Sequence, residues 1–196
     1  MTERPRTPAA SDEAGTPPRT RAAADEAGTP SRAPTPAEEA RTLVARGRVA
    51  ALATLGADGA PWCSLVLYAA LADGTPVVCL STLAEHGRNL RRDPRASLAI
   101  GDIDPADDPL DSGRVTLAGR VEVPAGEELA AARAAYRRAS PASARYGDFG
   151  DFTYYALRIE RVRWVGGYGR MGFVDPASYH AAEPDPGRPA PGSRPT

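Results

Sequence analysis

An antiparallel β-barrel of the α+β class is what this sequence predicts, and two observations carry the prediction. About six apolar or alternating strand patterns follow one another, mostly through short turns rich in Gly, Asp and Pro. Helical patterns sit between some of them, but without the regular strand–helix–strand alternation that would build a doubly wound parallel sheet.

The elements follow in order. Thr35 precedes Pro36, with Glu38 three residues on, so a helix starts there with a capping box and Pro at its first position. Leu43 and Val44 give it an apolar side and Gly47 ends it. VAALATL (49–55) and PWCSLVLYAA (61–70) flank the turn GADG, where Asp58-Gly59 supplies the positive φ of a tight hairpin. On the second strand Ser64, Val66 and Tyr68 share one face, and Cys63, Leu65 and Leu67 share the other. PVVCLS is apolar on both faces, as a barrel wall packed on two sides requires.

Thr82 is then expected to begin a helix, with Glu85 reaching back to cap it and Pro94 limiting its length. RASLAIGD is the next strand, DIDPADDPLDSG an acidic loop, and RVTLAGRVEVP a strand in which Gly119 marks a bulge. GEELAAARAAYRRAS reads as helix from its Ala, Leu and Arg content and its Glu-to-Arg pairs. FTYYALRIERVRWVGG alternates over more than ten residues and forms a long strand with Tyr155, Leu157 and Ile159 inward.

Composition sets the boundaries. Residues 1–36 contain no aromatic, Leu, Ile or Val, and repeat DEAGTP at 12–17 and 25–30; residues 183–196 form a second Pro-rich stretch. Neither can bury enough apolar surface to offset its ordering entropy, so both are expected to be disordered tails around one domain, 37–182. The 196-residue chain has a net charge of −1, all its cations being Arg, which argues against nucleic acid or membrane as a partner. No apolar leader or bilayer-length run is present, so a cytoplasmic location is expected. Cys63 and Cys79 lie in apolar strand patterns without metal or redox spacing, and are expected to be buried free thiols.

The stretch CLSTLAEHGRNLRRDPRASLAI (79–100) concentrates the chemistry. Hydroxyls at Ser81 and Thr82, a helix start with unpaired N–H groups, and His86, Arg88, Asn89, Arg91 and Arg92 gather around a phosphate-sized point. The same residues also fit a solvated helix face with a simple N-cap. Gly87, costly inside a short helix, indicates that something approaches its backbone closely. No nucleophile elbow, phosphate-binding Walker loop, HExxH or catalytic carboxylate pair is present, so the reactivity would come from a cofactor.

RNLRRDPRASLAI, followed by GDIDPADDPLDSGRVTLAGRVEV, resembles the CREG-like and HugZ-type (haem-utilisation) branch of the pyridoxamine 5′-phosphate oxidase-like superfamily of FMN-binding split barrels. LSTLAEHGRNL resembles that group's flavin-phosphate helix and RWVGGYGRM its closing strand and loop. The resemblance covers roughly residues 38–175 and implies a split barrel, homodimeric, holding FMN at the subunit interface and acting as a flavin-dependent oxidoreductase on a small-molecule substrate.

It places Ser64 and Val66 along the flavin ring, Leu80, Ser81 and Thr82 around the ribityl and phosphate, and His86, Gly87, Arg88 and Asn89 on the phosphate, with Arg88 as the principal anchor. Asn89 stands where a second basic residue is common. Trp164, Tyr168 and Arg170 would cover the ring from the second subunit; Trp164 equally fits a core position. The haem-utilisation branch implies a second possibility, haem binding and degradation with His180 as the iron ligand, although that histidine equally fits an exposed, idle position in a tail. Related barrels also imply the deazaflavin F420, or a binding module without catalysis.

Overall fold

In the computed structural model, the described residues are 32–101, 108, 110–147 and 149–186; most of the expected tails and most of the acidic loop lie outside them, whereas Thr35 and Pro36 start α1 and the Asp185 amide donates to the Thr42 hydroxyl. Helix α1 (Pro36–Arg46) leads into strands β1 (Val49–Leu55), β2 (Pro61–Ala70) and β3 (Pro76–Ser81), then α2 (Glu85–Arg92), β4 (Arg95–Gly101) and β5 (Arg114–Glu122). Helix α3 (Gly126–Ala139) and a 3-10 turn (Pro141–Arg145) precede the long strand β6 (Phe152–Val165). Strand β7 (Met171–Val174) and helix α4 (Pro176–Ala181) follow.

The strands run in the order β3-β2-β1-β4-β5-β6-β7, and β6 returns to pair with β3, closing a six-stranded antiparallel barrel with β7 outside the closure. Strand β6 does this by serving two neighbours. Its first half pairs with β3, from Ser81↔Phe152 to Val77↔Ala156, and from Ala156 onward it pairs with β5. A register shift at Ala118/Gly119 introduces the expected bulge. A Cβ on Gly119 would lie 1.9 Å from the Arg158 carbonyl oxygen, so only Gly lets β5 and β6 come together there.

The barrel interior is filled by Leu52, Val66, Tyr68, Val78, Leu80, Leu98, Ile100, Leu117, Leu157 and Trp164, with α1 and Leu90 of α2 plugging the ends. A second cluster, Val77, Cys79, Ala132, Tyr136 and Tyr154, lies where α3 covers the outer face of β3 and β6. Arg158 clasps Glu128 of α3 and Glu122 of β5, fixing that cover.

The capping box forms as read: the Glu38 amide donates to the Thr35 hydroxyl and the Thr35 amide to the Glu38 carboxylate. The α2 boundary differs from expectation. The helix begins at Glu85 with Ala84 as an uncapped N-cap, and Glu85 turns to Arg88 instead of back to Thr82. The cysteines also separate: Cys79 is buried as expected, whereas Cys63 is exposed, because its face of β2 points away from the barrel interior and α3 covers that face only at the Ala69 end. Past β6 the chain forms β7 and α4, so His180 stands on a docked helix and not in a fraying tail.

One buried cation ties the ends of this arrangement together. Arg41 of α1 is 4% exposed. It donates to the Ala72 and Ala182 carbonyls (2.7 and 2.9 Å) and stacks over Tyr179 at 5.4 Å. The Tyr179 hydroxyl donates to the Gly74 carbonyl (2.9 Å). Gly74 adopts φ +84°, and any Cβ there would collide with the Arg41 guanidinium. Arg41→Ala is therefore expected to leave two carbonyls without their charged donor and to cost about 3 kcal/mol. Thermal unfolding checks this, with the midpoint falling by roughly 10 °C.

Candidate functional site

Strand β3 belongs to two ladders of unequal length. It pairs with β2 only from Ala70↔Pro76 to Tyr68↔Val78, yet stays with β6 as far as Ser81↔Phe152. Beyond Tyr68 and Val78 the strands β2 and β3 separate, and a groove of about 340 Å³ opens between them. Its lips are Leu65 and Leu67 on β2 and Cys79, Leu80 and Ser81 on β3; Ala84 and His86 bound it at α2, and Tyr136, Tyr146 and Phe152 on the opposite side.

The β2 lip carries unusual exposure. Leu65 is 79% exposed, and Leu67 and Trp62 are also substantially open. The Tyr68 amide donates to the Arg48 carbonyl on the β1 side. Strand alternation therefore turns the backbone N–H and C=O of Leu65 and Cys63 to the other edge, where β3 has departed. An apolar strip beside an unpaired strand edge is the kind of surface that monomers normally cover.

At the Ser81 end, the Ser81 hydroxyl donates to the Asp151 carboxylate at 2.7 Å and accepts from the Leu83 amide at 3.2 Å. The Thr82 amide donates to the Asp151 carbonyl. Arg88 is half exposed and bound to the Leu83 carbonyl and the Glu85 carboxylate, so its guanidinium closes the turn it belongs to. Asn89 is fully buried: its side-chain amide donates to the Thr54 hydroxyl (3.1 Å) and its oxygen accepts from Arg92 (2.7 Å), pinning α2 to β1.

Gly87 has the close neighbour that its identity suggested, and that neighbour is backbone. A Cβ there would lie 2.1 Å from the Ser81 carbonyl oxygen. His86 lies half-buried along the groove, and burial pushes its imidazole pKa down, favouring the neutral form. Tyr136, which also lines the groove, has its phenol raised first by burial and then by its hydrogen bond with Tyr146.

The structure thus brings Leu80, Ser81 and His86 to the groove, with Gly87 supporting them, and with Val66 lining it from the barrel side. Ser64 is partly buried further along β2, and Thr82 stands in the turn before α2. Trp164 is core, covered by Arg170, which pairs with Glu39; Tyr168 is 74% exposed. Trp164 lies near the end of β6 far from Phe152, roughly 40 Å along the strand at ~3.3 Å per residue, and Tyr168 and Arg170 lie beyond it, so none of the three lines this groove.

His180 lies beyond the other end of β3. Its Nδ1 sits 3.0 Å from the Asp73 carbonyl, and its ring packs edge-on against Tyr179. The length of β3, roughly 17 Å, separates it from Ser81. Sequence reasoning missed Asp151, Tyr136, Tyr146 and Phe152, which reach the groove only through tertiary pairing; Leu65 and Leu67 were legible as one strand face but not as an open one.

Among the described residues no group of three or more His, Cys, Asp or Glu is arranged to hold a metal ion, and no helix is long and apolar enough to cross a membrane. A family model described as pyridoxamine 5′-phosphate oxidase matches residues 36–166. The chloroplastic heme oxygenase HOZ of Arabidopsis thaliana is 36% identical over 135 residues, covering 66% of this chain and 40% of HOZ. A heme binding protein from Mycobacterium smegmatis is 55% identical with a TM-score of 0.76, covering 79% of this chain and 64% of that one. The chain thus spans less than two thirds of either relative. HutZ, a heme storage protein from Vibrio cholerae, shares the fold at 21% identity and a TM-score of 0.50, covering 67% of this chain and 91% of that one.

The contact at Gly87 gives a direct test of the groove. Gly87→Ala must push α2 away from the Ser81–Thr82 turn, at a cost of about 2 kcal/mol. Thermal unfolding should report that loss, and groove accessibility, read by hydrogen exchange at Ser81–Leu83, should rise.

Proposed function

Given that the chain belongs to the pyridoxamine 5′-phosphate oxidase family, we propose that it binds haem in the groove between β2 and β3, within a homodimer formed across the open edge of β2. The observation that carries this reading is the make-up of the groove. Leu65, Leu67, Cys79, Leu80 and Phe152 present apolar surface to a flat ligand, and the imidazole along the wall is held neutral by burial. A porphyrin is a broad apolar disc whose burial is favourable in such a cleft, and neutral imidazole is a common ligand of its iron.

The heme binding protein from Mycobacterium smegmatis and the heme oxygenase HOZ support the same ligand. By likeness to HOZ the bound macrocycle is also a substrate for oxidative breakdown. The composition's indication of a cytoplasmic setting belongs to the same proposal. The homodimer rests on the exposed Leu65 and Leu67 and the unpaired β2 edge, which a second copy would cover.

Flavin mononucleotide, serving an oxidoreductase of small planar substrates, is the second reading, and family membership favours it. The phosphate end fits less well than the ring. Asp151 stands on Ser81, and Arg88 is already engaged by Glu85. A phosphate charge ~4 Å from a carboxylate costs about 4 kcal/mol at an effective dielectric of 20. The same carboxylate weighs against the phosphate-bearing F420.

Haemin titration of the purified protein is expected to give a saturable Soret band at one haem per protomer, and mass spectrometry of freshly denatured protein to release no flavin. Release of stoichiometric FMN with no haemin response would reverse the ranking. Leu65→Asp should leave the circular dichroism of the protein unchanged, since the side chain is exposed on the single chain. It should convert the dimer to monomer in light scattering and weaken haem binding about 10-fold.

A further inference from the structure

We infer that His86, and not His180, supplies the imidazole that ligates haem iron in this chain. The inference rests on the haem reading above and deepens it. Only two histidines exist in the sequence, so the choice is binary.

Their surroundings differ in three respects. First, His86 lines the groove together with Ala84, Leu65, Leu67 and Phe152, whereas His180 lies off the opposite end of β3. Second, the His180 ring is oriented by Asp73 and Tyr179, away from the groove. Its Nδ1 lies 3.0 Å from the Asp73 carbonyl and 3.8 Å from the Asp73 carboxylate, and Tyr179, fully buried beneath it, fixes the helix that carries it. The Nδ1 contact leaves Nε2 available, so it is the position of His180 off the groove, and not its hydrogen bond, that keeps it from iron held there.

Third, the His86 side chain makes no hydrogen bond or ion pair with any described residue. An imidazole half-buried against apolar surface, with neither nitrogen bonded to the protein, has a ring nitrogen to offer to iron.

The backbone adds a positioning argument. Gly87 seats α2 directly on the Ser81 carbonyl, and Asn89 locks the helix to Thr54 of β1. His86 therefore projects from a turn fixed on two sides, which preorganises a ligand better than a loop would.

The test uses the full chain titrated with haemin. The wild type should show the Soret and visible bands of histidine-ligated ferric haem and, on reduction, an iron–histidine stretch in resonance Raman spectra. His86→Ala should abolish that stretch and weaken haem binding by about 10-fold or more, with added imidazole restoring the spectrum. His180→Ala should leave the spectrum unchanged. Circular dichroism of His86→Ala should match the wild type, because the side chain has no partner to lose.

An unaltered spectrum in His86→Ala, or loss of the iron–histidine band in His180→Ala, overturns the ligand assignment while leaving haem binding in place. Failure of the wild type itself to bind haemin overturns both.

Discussion

The pairing of β3 with β6 is the interaction on which the rest of the molecule depends. Without it the sheet would be an open ribbon ending at β3, and neither interior cluster would be sealed. The closure also creates the groove. Strand β3 follows β6 to Ser81 but leaves β2 after Val78, so the strand that completes the barrel necessarily opens a gap at its other edge. The bulge at Gly119 belongs to the same solution, since β6 must bend to serve β5 and β3 in turn. Fold and candidate site are thus two results of one register.

Much of this was legible from the chain. The alternation of β1, β2, β4, β5 and β6, the capping box at Thr35, the Asp58-Gly59 hairpin and the bulge at Gly119 all depend on near neighbours, and local pattern records near neighbours well. The start of α2 was not legible in the same way. Ser81 and Thr82 look like a helix cap, but the Ser81 hydroxyl is claimed by Asp151, 70 residues away, and the helix begins only after the turn that this bond stabilises. Strand β2 poses a different problem. Both of its faces are apolar, so alternation separates Cys63, Leu65 and Leu67 from Val66 and Tyr68 without saying which set meets the core.

The helix that suggested a phosphate grip teaches how ligand chemistry and packing chemistry share residue types. Gly87 needs space for a carbonyl oxygen, Asn89 satisfies a buried threonine, and Arg88 closes its own first turn. Each of these is a reason for its residue that requires no ligand. His86 differs from them, being the residue of that helix whose side chain lines the groove and bonds to nothing among the described residues. In a site read from sequence, the side chain that the fold does not employ is the more informative one.

The Arg41 node joins chain segments from the start, middle and end of the domain: α1, the turn before β3, and the exit from α4. During synthesis the first of these is made long before the last. Until Tyr179 and Ala182 emerge, the guanidinium has no aromatic roof and one carbonyl fewer, so the nascent barrel retains a hydrated charge at a place that must become dry. Docking of α4 is then the event that completes assembly, and a ribosome product halted before it would carry a defect at the point where its two ends should meet.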